Sequence, residues 1–225
     1  MTPEQPCSWH RHDADELALV AARDLMELAE QAIARRGLFH LVLAGGRTPE
    51  ALYRQLATMT ADWDRWWIHF GDERCLPLGD PGRNDTMARQ AWLDRVSLPA
   101  RQVMTMPAEL GPDRGAALYA QQLADLGLFD LVLLGLGEDG HTASLFPGQA
   151  TAETSEPTVA VHHAPKPPAQ RVSLSASRLS SARQVWFLIT GEDKRPALEQ
   201  WQRGVDLPAA WIRPPSGIRL YTDLR

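Results

Sequence analysis

The sequence predicts an α/β fold: a mainly parallel sheet covered by helices on both faces, in one domain. Apolar runs bounded by Gly or polar residues, Phe129–Leu134 above all, read as strands buried on both faces. Amphipathic stretches lie between them, and that alternation is the pattern of a parallel sheet with crossover helices. Gly-bearing loops follow three of the runs, at Gly45-Gly46, Gly71 and Gly135 to Gly140, at the strand ends where open sheets carry their chemistry. With 225 residues and no repeat, low-complexity tract or linker, residues 1–225 read as a single domain.

Residues 13–36 predict the first helix. Leu17, Val20, Leu25, Leu28 and Ile33 recur at near-helical spacing, Asp13 can cap the start with Glu16 three residues on, and Gly37 is a natural stop. Leu38 to Ala44 forms the first strand. Thr48 as N-cap and Pro49 at the first helical position announce a helix over 49–58. Trp66 to Phe70 is the second strand, ending in Gly71-Asp72-Glu73-Arg74. A loop rich in Pro and Gly leads to a helix over 85–95, capped by Asn84 or Asp85, and a further helix covers 113–125. After the third strong strand, Phe129 to Leu134, the segments Val159 to His162, Val172 to Ser175 and Val185 to Thr190 follow as strands. A helix over 193–203 and a strand from Ile218 to Thr222 complete the chain. Trp63, Trp66 and Trp67 flank a strand and are expected to fill the helix–sheet core.

Composition narrows the function. The net charge of −5 disfavours nonspecific nucleic-acid binding, so an anionic substrate must be met by local cations. No apolar run approaches the ~20 residues of a membrane span, and the polar, acidic start MTPEQPCSWHRHDADE is not a secretory signal. Cys7 and Cys75 make no disulfide framework, which points to a reducing, cytoplasmic setting. His10/His12 and His162/His163 lack further ligands at zinc spacing, so no metal is expected. Ser144 lies outside any G-x-S-x-G elbow and is not expected to be a nucleophile.

Gly135-x-Gly137-x-x-Gly140 has the form of the dinucleotide fingerprint, yet Glu138 and Asp139 would set negative charge against a pyrophosphate. Pro147-Gly148 would stop the following helix within about two turns. The ribose-binding acid expected ~20 residues on finds only Glu153 and Glu156, in a turn-rich stretch rather than at a strand end. No nicotinamide cofactor is expected.

Three strand-end loops are left to carry chemistry. Gly45-Gly46-Arg47-Thr48-Pro49 has the parts of a phosphate cradle: glycines that let the backbone approach, a hydroxyl, and a helix N-terminus. Gly71 to Arg74 sets two carboxylates and a guanidinium at a strand end. Glu138, Asp139 and His141 suit proton transfer near neutral pH. The chain's basic residues are overwhelmingly arginine, and its only lysines are Lys166 and Lys194.

LAGGRTPEALY, HFGDERCLP with Asn84 downstream, FDLVLLGLGEDGHTASLFPG, PPAQRVSLS and VWFLITGEDK resemble, in order, the motifs of the 6-phosphogluconolactonase family, within the wider superfamily of sugar-phosphate deaminases. They span residues 43 to 194; the GEDGHTASLFPG and DER segments are the specific ones, while GGxTP is shared with the deaminases. The resemblance implies a Rossmann-like three-layer α/β fold, hydrolysis of 6-phosphoglucono-δ-lactone to 6-phosphogluconate in the oxidative pentose phosphate pathway, and no cofactor. His141 matches the family's general base, and Asp139 can orient its imidazole or stabilise the imidazolium. Arg74 matches an arginine near that histidine, suited to positioning and to a developing oxyanion. Asp72 matches an acidic site position without an assigned role. Gly45, Gly46, Arg47 and Thr48 match the phosphate cradle, Arg171 and Lys194 match phosphate-binding cations, and Lys166 is an additional candidate. Many relatives carry a small residue where this chain has Arg47. Its side chain either adds a phosphate-binding charge or points to solvent, leaving only its N–H for the ligand.

Two other functions use the same fold. An amino-sugar-phosphate isomerase/deaminase needs an additional acid/base, usually a carboxylate shortly after the histidine, and residues 142–148 (TASLFPG) contain none. A sugar-phosphate-sensing module of a transcription regulator needs a DNA-binding segment, and the residues before the first strand read as one helix. The expected partner is a small sugar-phosphate lactone, without nucleic acid or membrane, in a monomer or weak homodimer.

Overall fold

A computed structural model describes residues 6–149 and 154–225; Glu153, weighed above as a ribose-binding acid, lies outside them. In chain order the elements are β1 (Cys7–Arg11), α1 (Ala14–Arg36), β2 (Phe39–Leu43), α2 (Arg47–Leu56), β3 (Trp66–Phe70), β4 (Asp72–Arg74), α3 (Asn84–Ala91), β5 (Val103–Met104), α4 (Pro112–Gln122), β6 (Phe129–Leu134), β7 (Thr158–Val161), β8 (Arg171–Leu174), α5 (Ala176–Ser180), β9 (Ala182–Ile189), α6 (Arg195–Gln202) and β10 (Ile218–Thr222). Among the described residues, seven strands form one sheet in the order β1-β10-β9-β6-β2-β3-β5, with every pair parallel. Its centre, β6, is buried at all six positions; Leu131 to Leu134 are continuously apolar, and the one buried charge, Asp130, is paired with Arg36 at 2.6 Å and Arg183 at 3.4 Å.

Helices cover both faces. Trp186 and Phe187 are neighbours on β9 and therefore point to opposite sides. Trp186 packs on Tyr221, whose hydroxyl donates to Asp24 of α1, whereas Phe187 meets Trp201 of α6 edge-on. Trp63 and Trp66 are buried with Trp92 in one aromatic cluster, as expected for core; Trp67 is only half-buried and stacks on His40.

A mainly parallel α/β architecture was expected and is observed, with one revision. β7 and β8 do not join the main sheet; with β4 they form a small antiparallel sheet in the order β4-β8-β7. That sheet lays Asp72 opposite Ser173 and Arg74 directly opposite Arg171. The sequence presents GDER as a strand-end loop, but Asp72–Arg74 is a strand because β8 supplies its ladder partner.

The helix starts also shift. α2 begins at Arg47 rather than Pro49, with Gly46 as N-cap at φ +106, a backbone conformation that favours glycine. The capping box expected at Asp13 does not form; its carboxylate pairs with Arg225 at 3.4 Å instead. Gly37 ends α1 at φ +83, as expected of a left-handed stop.

The order of the main sheet fixes where a ligand can sit. From β2 the chain runs outward to β3 and β5, then returns to β6 on the other side of β2 and continues to β9 and β10. The connections after β2 and β6 therefore leave in opposite directions, opening a crevice at the carboxyl ends of these strands.

Candidate active site

A cleft of about 590 Å3 occupies that crevice, lined by Gly45, Gly46, Arg47 and Thr48 after β2, by Asp72 and Arg74 of β4, and by Gly135, Gly137 and His141 after β6. Lys166, Arg171 and Lys194 line it as well. The three strand-end loops singled out in the sequence thus share one cavity. Of the Glu138, Asp139 and His141 cluster, only His141 lines it.

Asp139 stands behind the catalytic candidate. His141 Nδ1 lies against Asp139 Oδ1 in a short hydrogen bond, and the His141 N–H reaches the same oxygen at 3.2 Å. With Nδ1 so engaged, Nε2 is the free ring nitrogen. Partial burial pushes the Asp139 carboxyl up, but the hydrogen bonds and electrostatic attraction of His141 outweigh this and hold it below the usual range. The loop is built to present this pair. Gly137 N–H donates to the His141 carbonyl at 2.8 Å and Gly140 N–H to the Gly137 carbonyl at 3.0 Å. A Cβ on Gly137 would lie 2.0 Å from His141 Nδ1 and 2.7 Å from Asp139 Oδ1, so the ring packs where any side chain would stand. A turn rather than a helix follows, consistent with setting the dinucleotide fingerprint aside.

Behind the loop lies a buried polar junction. Ser144 Oγ donates to Asp72 Oδ2 at 2.6 Å, Asn84 Nδ2 donates to Asp72 Oδ1 at 3.2 Å, and Arg171 Nη1 stands 4.0 Å from Asp72 Oδ2. Ser144, Asp72, Asn84 and Arg171 are all buried. Burial lowers the Arg171 pKa, the Asp72 charge works against that fall, and Arg74 across the ladder adds to it. Arg171 also donates to the carbonyls of Pro168 at 3.1 Å and Lys166 at 2.9 Å, and its guanidinium lies 5.7 Å from the Phe146 ring centroid, which in turn sits 4.8 Å from the His141 ring. Ser144 was set aside as a nucleophile; its hydroxyl is committed to Asp72. No local pattern pointed to that bond.

Alternation along β4 divides the DER triplet. Asp72 and Arg74 face the cleft, while Glu73 points away and is fully buried. Its carboxylate accepts the N–H groups of Arg74, Asn84 and Asp85 at 2.7–2.8 Å, satisfying the start of α3 from a distance, so neither Asn84 nor Asp85 caps that helix. Burial pushes Glu73 up to about 7, against those three N–H bonds. Arg83, also buried, is held beside it by Asp85 at 2.8 Å and Glu109 at 3.4 Å. Arg74 is anchored through Nη1 to the Gly82 carbonyl at 2.6 Å.

The anion end lies across the cleft. The N–H groups of Arg47 and Thr48 open α2 with no carbonyl four residues back to bond, leaving the positive end of the helix toward the cavity. Asn84 sits so close to Gly45 that a Cβ there would lie 2.1 Å from its Oδ1, which locks this loop to α3. Thr48 Oγ1 meets Thr190 Oγ1 at 2.6 Å, tying the cradle to the end of β9. Lys194 Nζ lies 2.9 Å from Asp193 and 3.6 Å from Glu138, and Lys166 Nζ lies 3.7 Å from Glu138. Arg47 is exposed at the rim and contributes, after Lys194, to the lowered pKa of Asp193. Among the described residues, no group of three or more His, Cys, Asp or Glu side chains is placed to hold a metal ion, and no helix is long and apolar enough to cross a membrane.

Known proteins resemble this chain in sequence and fold. Residues 12–221 match the family model of glucosamine-6-phosphate isomerases/6-phosphogluconolactonase. The 6-phosphogluconolactonase of Streptomyces coelicolor is 41% identical over 226 aligned residues, 91% of this chain and 86% of that protein. The 6-phosphogluconolactonase of Mycobacterium leprae is 36% identical over 94% of this chain and 91% of that protein. The crystal structure of 6-phosphogluconolactonase from Thermotoga maritima superposes with a TM-score of 0.91 at 25% identity, covering 96% of this chain and 99% of that one. Its counterpart from Trypanosoma brucei gives 0.86 at 25% identity over 97% of both chains. The chain belongs to the glucosamine-6-phosphate isomerase/6-phosphogluconolactonase family.

Proposed function

We propose that the protein is a 6-phosphogluconolactonase, hydrolysing 6-phosphoglucono-δ-lactone to 6-phosphogluconate. The observation that carries this reading is one cleft holding the His141–Asp139 pair at one end and the start of α2 with Arg171 and Lys194 at the other. The Streptomyces coelicolor and Mycobacterium leprae relatives are named 6-phosphogluconolactonase, and residues 142–148 lack the extra carboxylate that an isomerase/deaminase would use.

In the proposed mechanism, Nδ1–H of His141 donates to Asp139 and Nε2 takes a proton from water as its oxygen attacks the lactone carbonyl. Asp139 stabilises the imidazolium, and Arg74 faces the oxygen on which charge develops. The ring C–O bond then breaks, and the proton held by His141 passes to the departing ring oxygen. Lys194, the N–H groups of Arg47 and Thr48, and Arg171 through Nη1 hold the phosphate; Nε and Nη2 of Arg171 are held by the Pro168 and Lys166 carbonyls, which fixes its guanidinium in place. Asp72 serves this reading as an anchor for Arg171 and the His141 loop. A place in the oxidative pentose phosphate pathway and a cytoplasmic location fit the proposed reaction and the free cysteines, and a monomer or weak homodimer is the proposed assembly.

The test is direct: generate the lactone with glucose-6-phosphate dehydrogenase and follow its disappearance with and without the protein. A rate equal to spontaneous hydrolysis would refute the reading. His141→Ala is expected to lower kcat by about a hundredfold or more.

A further inference from the structure

Both lysines of the chain face one carboxylate. Glu138 Oε1 lies 3.7 Å from Lys166 Nζ and 3.6 Å from Lys194 Nζ. Lys166, on the β7–β8 connection, and Lys194, in the turn after β9, both line the cleft, and Glu138 stands between them. It does so from the loop that carries His141. Asp193 continues the series, 2.9 Å from Lys194 and within electrostatic range of Arg47.

The rim is thus a row of alternating charge, with Arg47, Lys194 and Lys166 against Asp193 and Glu138. Three cations and two carboxylates leave it with one net positive charge, whereas a phosphate monoester brings about two negative charges at neutral pH. The lysines cannot give their full charge to a phosphate while the carboxylates hold them. Glu138 is the carboxylate able to yield. Its side chain is 58% exposed, and both of its ion pairs exceed hydrogen-bond length, which makes each of them weak.

We propose that Glu138 is an internal counter-anion: it occupies the lysine pair in the free protein and competes with the incoming phosphate for it. The proposal rests on the lactonase reading and adds to it a specificity-determining residue. An occupant that must be displaced discriminates between ligands, because a dianion outcompetes one carboxylate and a weaker anion does not. It also keeps the product, which carries the same phosphate, from being held too tightly.

The test is calorimetric titration of the wild type and Glu138→Gln with 6-phosphogluconate, at low and moderate salt. The expected result is about three- to tenfold tighter binding by the variant, the scale set by two weak ion pairs and one removed like charge. The salt dependence should also be steeper, because the freed lysines then exchange salt anions for the ligand. KM for the lactone should fall with Kd while kcat changes less. Unchanged or weaker binding by Glu138→Gln, beside a wild type that binds 6-phosphogluconate, overturns the proposal and leaves the lactonase reading standing. A wild type that binds no 6-phosphogluconate overturns both.

Discussion

Gly137→Ala isolates the geometry of the proposed general base from its chemistry. Gly137 does not have a positive φ, so its backbone admits alanine without conformational strain. The obstacle is the His141 ring. The new Cβ would lie 2.0 Å from Nδ1 and 2.2 Å from Cε1, whereas ordinary contact begins at 3.4 Å. The ring must therefore withdraw by about 1.4 Å, and Asp139, 2.7 Å from the same Cβ, must yield with it. Misplacement of a reacting group by about 1 Å costs on the order of a hundredfold in rate, about 2.7 kcal/mol of transition-state stabilisation. We expect kcat to fall by about a hundredfold in the coupled lactone assay. KM should change by less than about threefold, since the phosphate groups stand on other loops. Thermal melting should fall by about 2–10 °C, because Gly137 is buried and overpacking it costs about 1–3 kcal/mol. A folded Gly137→Ala protein with kcat within about threefold of wild type would refute the proposed placement of His141.

Lys194→Ala should raise KM with little change in kcat, because a phosphate contact is made equally in ground and transition states; an unchanged KM in steady-state kinetics removes Lys194 from the site. Ser144→Ala leaves the buried Asp72 Oδ2 without its hydroxyl donor and should cost about 1–3 kcal/mol in urea unfolding; no loss would mean the bond does not anchor the loop. Acid should weaken the fold through His69, whose pKa is lowered to about 3, first by burial and then by repulsion from His40 and Arg178. The unfolded chain binds this proton below about 6.5, so the contribution is complete above that pH, has fallen by about 2 kcal/mol at pH 5, and is gone near 3. Glu73, raised to about 7, acts in the opposite sense between about 4.5 and 7. Comparing wild type with His69→Leu separates them: the variant should lose about 2 kcal/mol less between pH 7 and pH 5, and parallel profiles would contradict the assignment.

The central strands were legible because strands buried on both faces must be continuously apolar, and the site loops because Gly, His and paired carboxylates cluster at strand ends for few packing reasons. What escaped depends on partners remote in sequence. CSWHR has no apolar run, and it is a strand only because β10 lies beside it. Asp72–Arg74 is too short to carry a period, so the opposite duties of Asp72 and Glu73 were visible only once β8 fixed which side faces the cleft. Asn84 was read as a local cap, yet its amide reaches Asp72 and its N–H is satisfied by Glu73. Gly137 belongs to a run of glycines whose pattern does not say which of them the site needs; its missing side chain is what admits the His141 ring.

Arg74 and Arg171 face each other directly across the β4–β8 ladder, one half-buried and the other buried, with Asp72 as the carboxylate closest to Arg171. Like charges so paired work against the sheet that holds them. On the proposed reading, an anion bound in the cleft would relax that repulsion, so part of the affinity for a negatively charged ligand would come from the strain between the two arginines. Replacing either arginine with a neutral residue would remove that repulsion together with the bonds the side chain makes, those of Arg171 to the Pro168 and Lys166 carbonyls beside Asp72, or that of Arg74 to the Gly82 carbonyl.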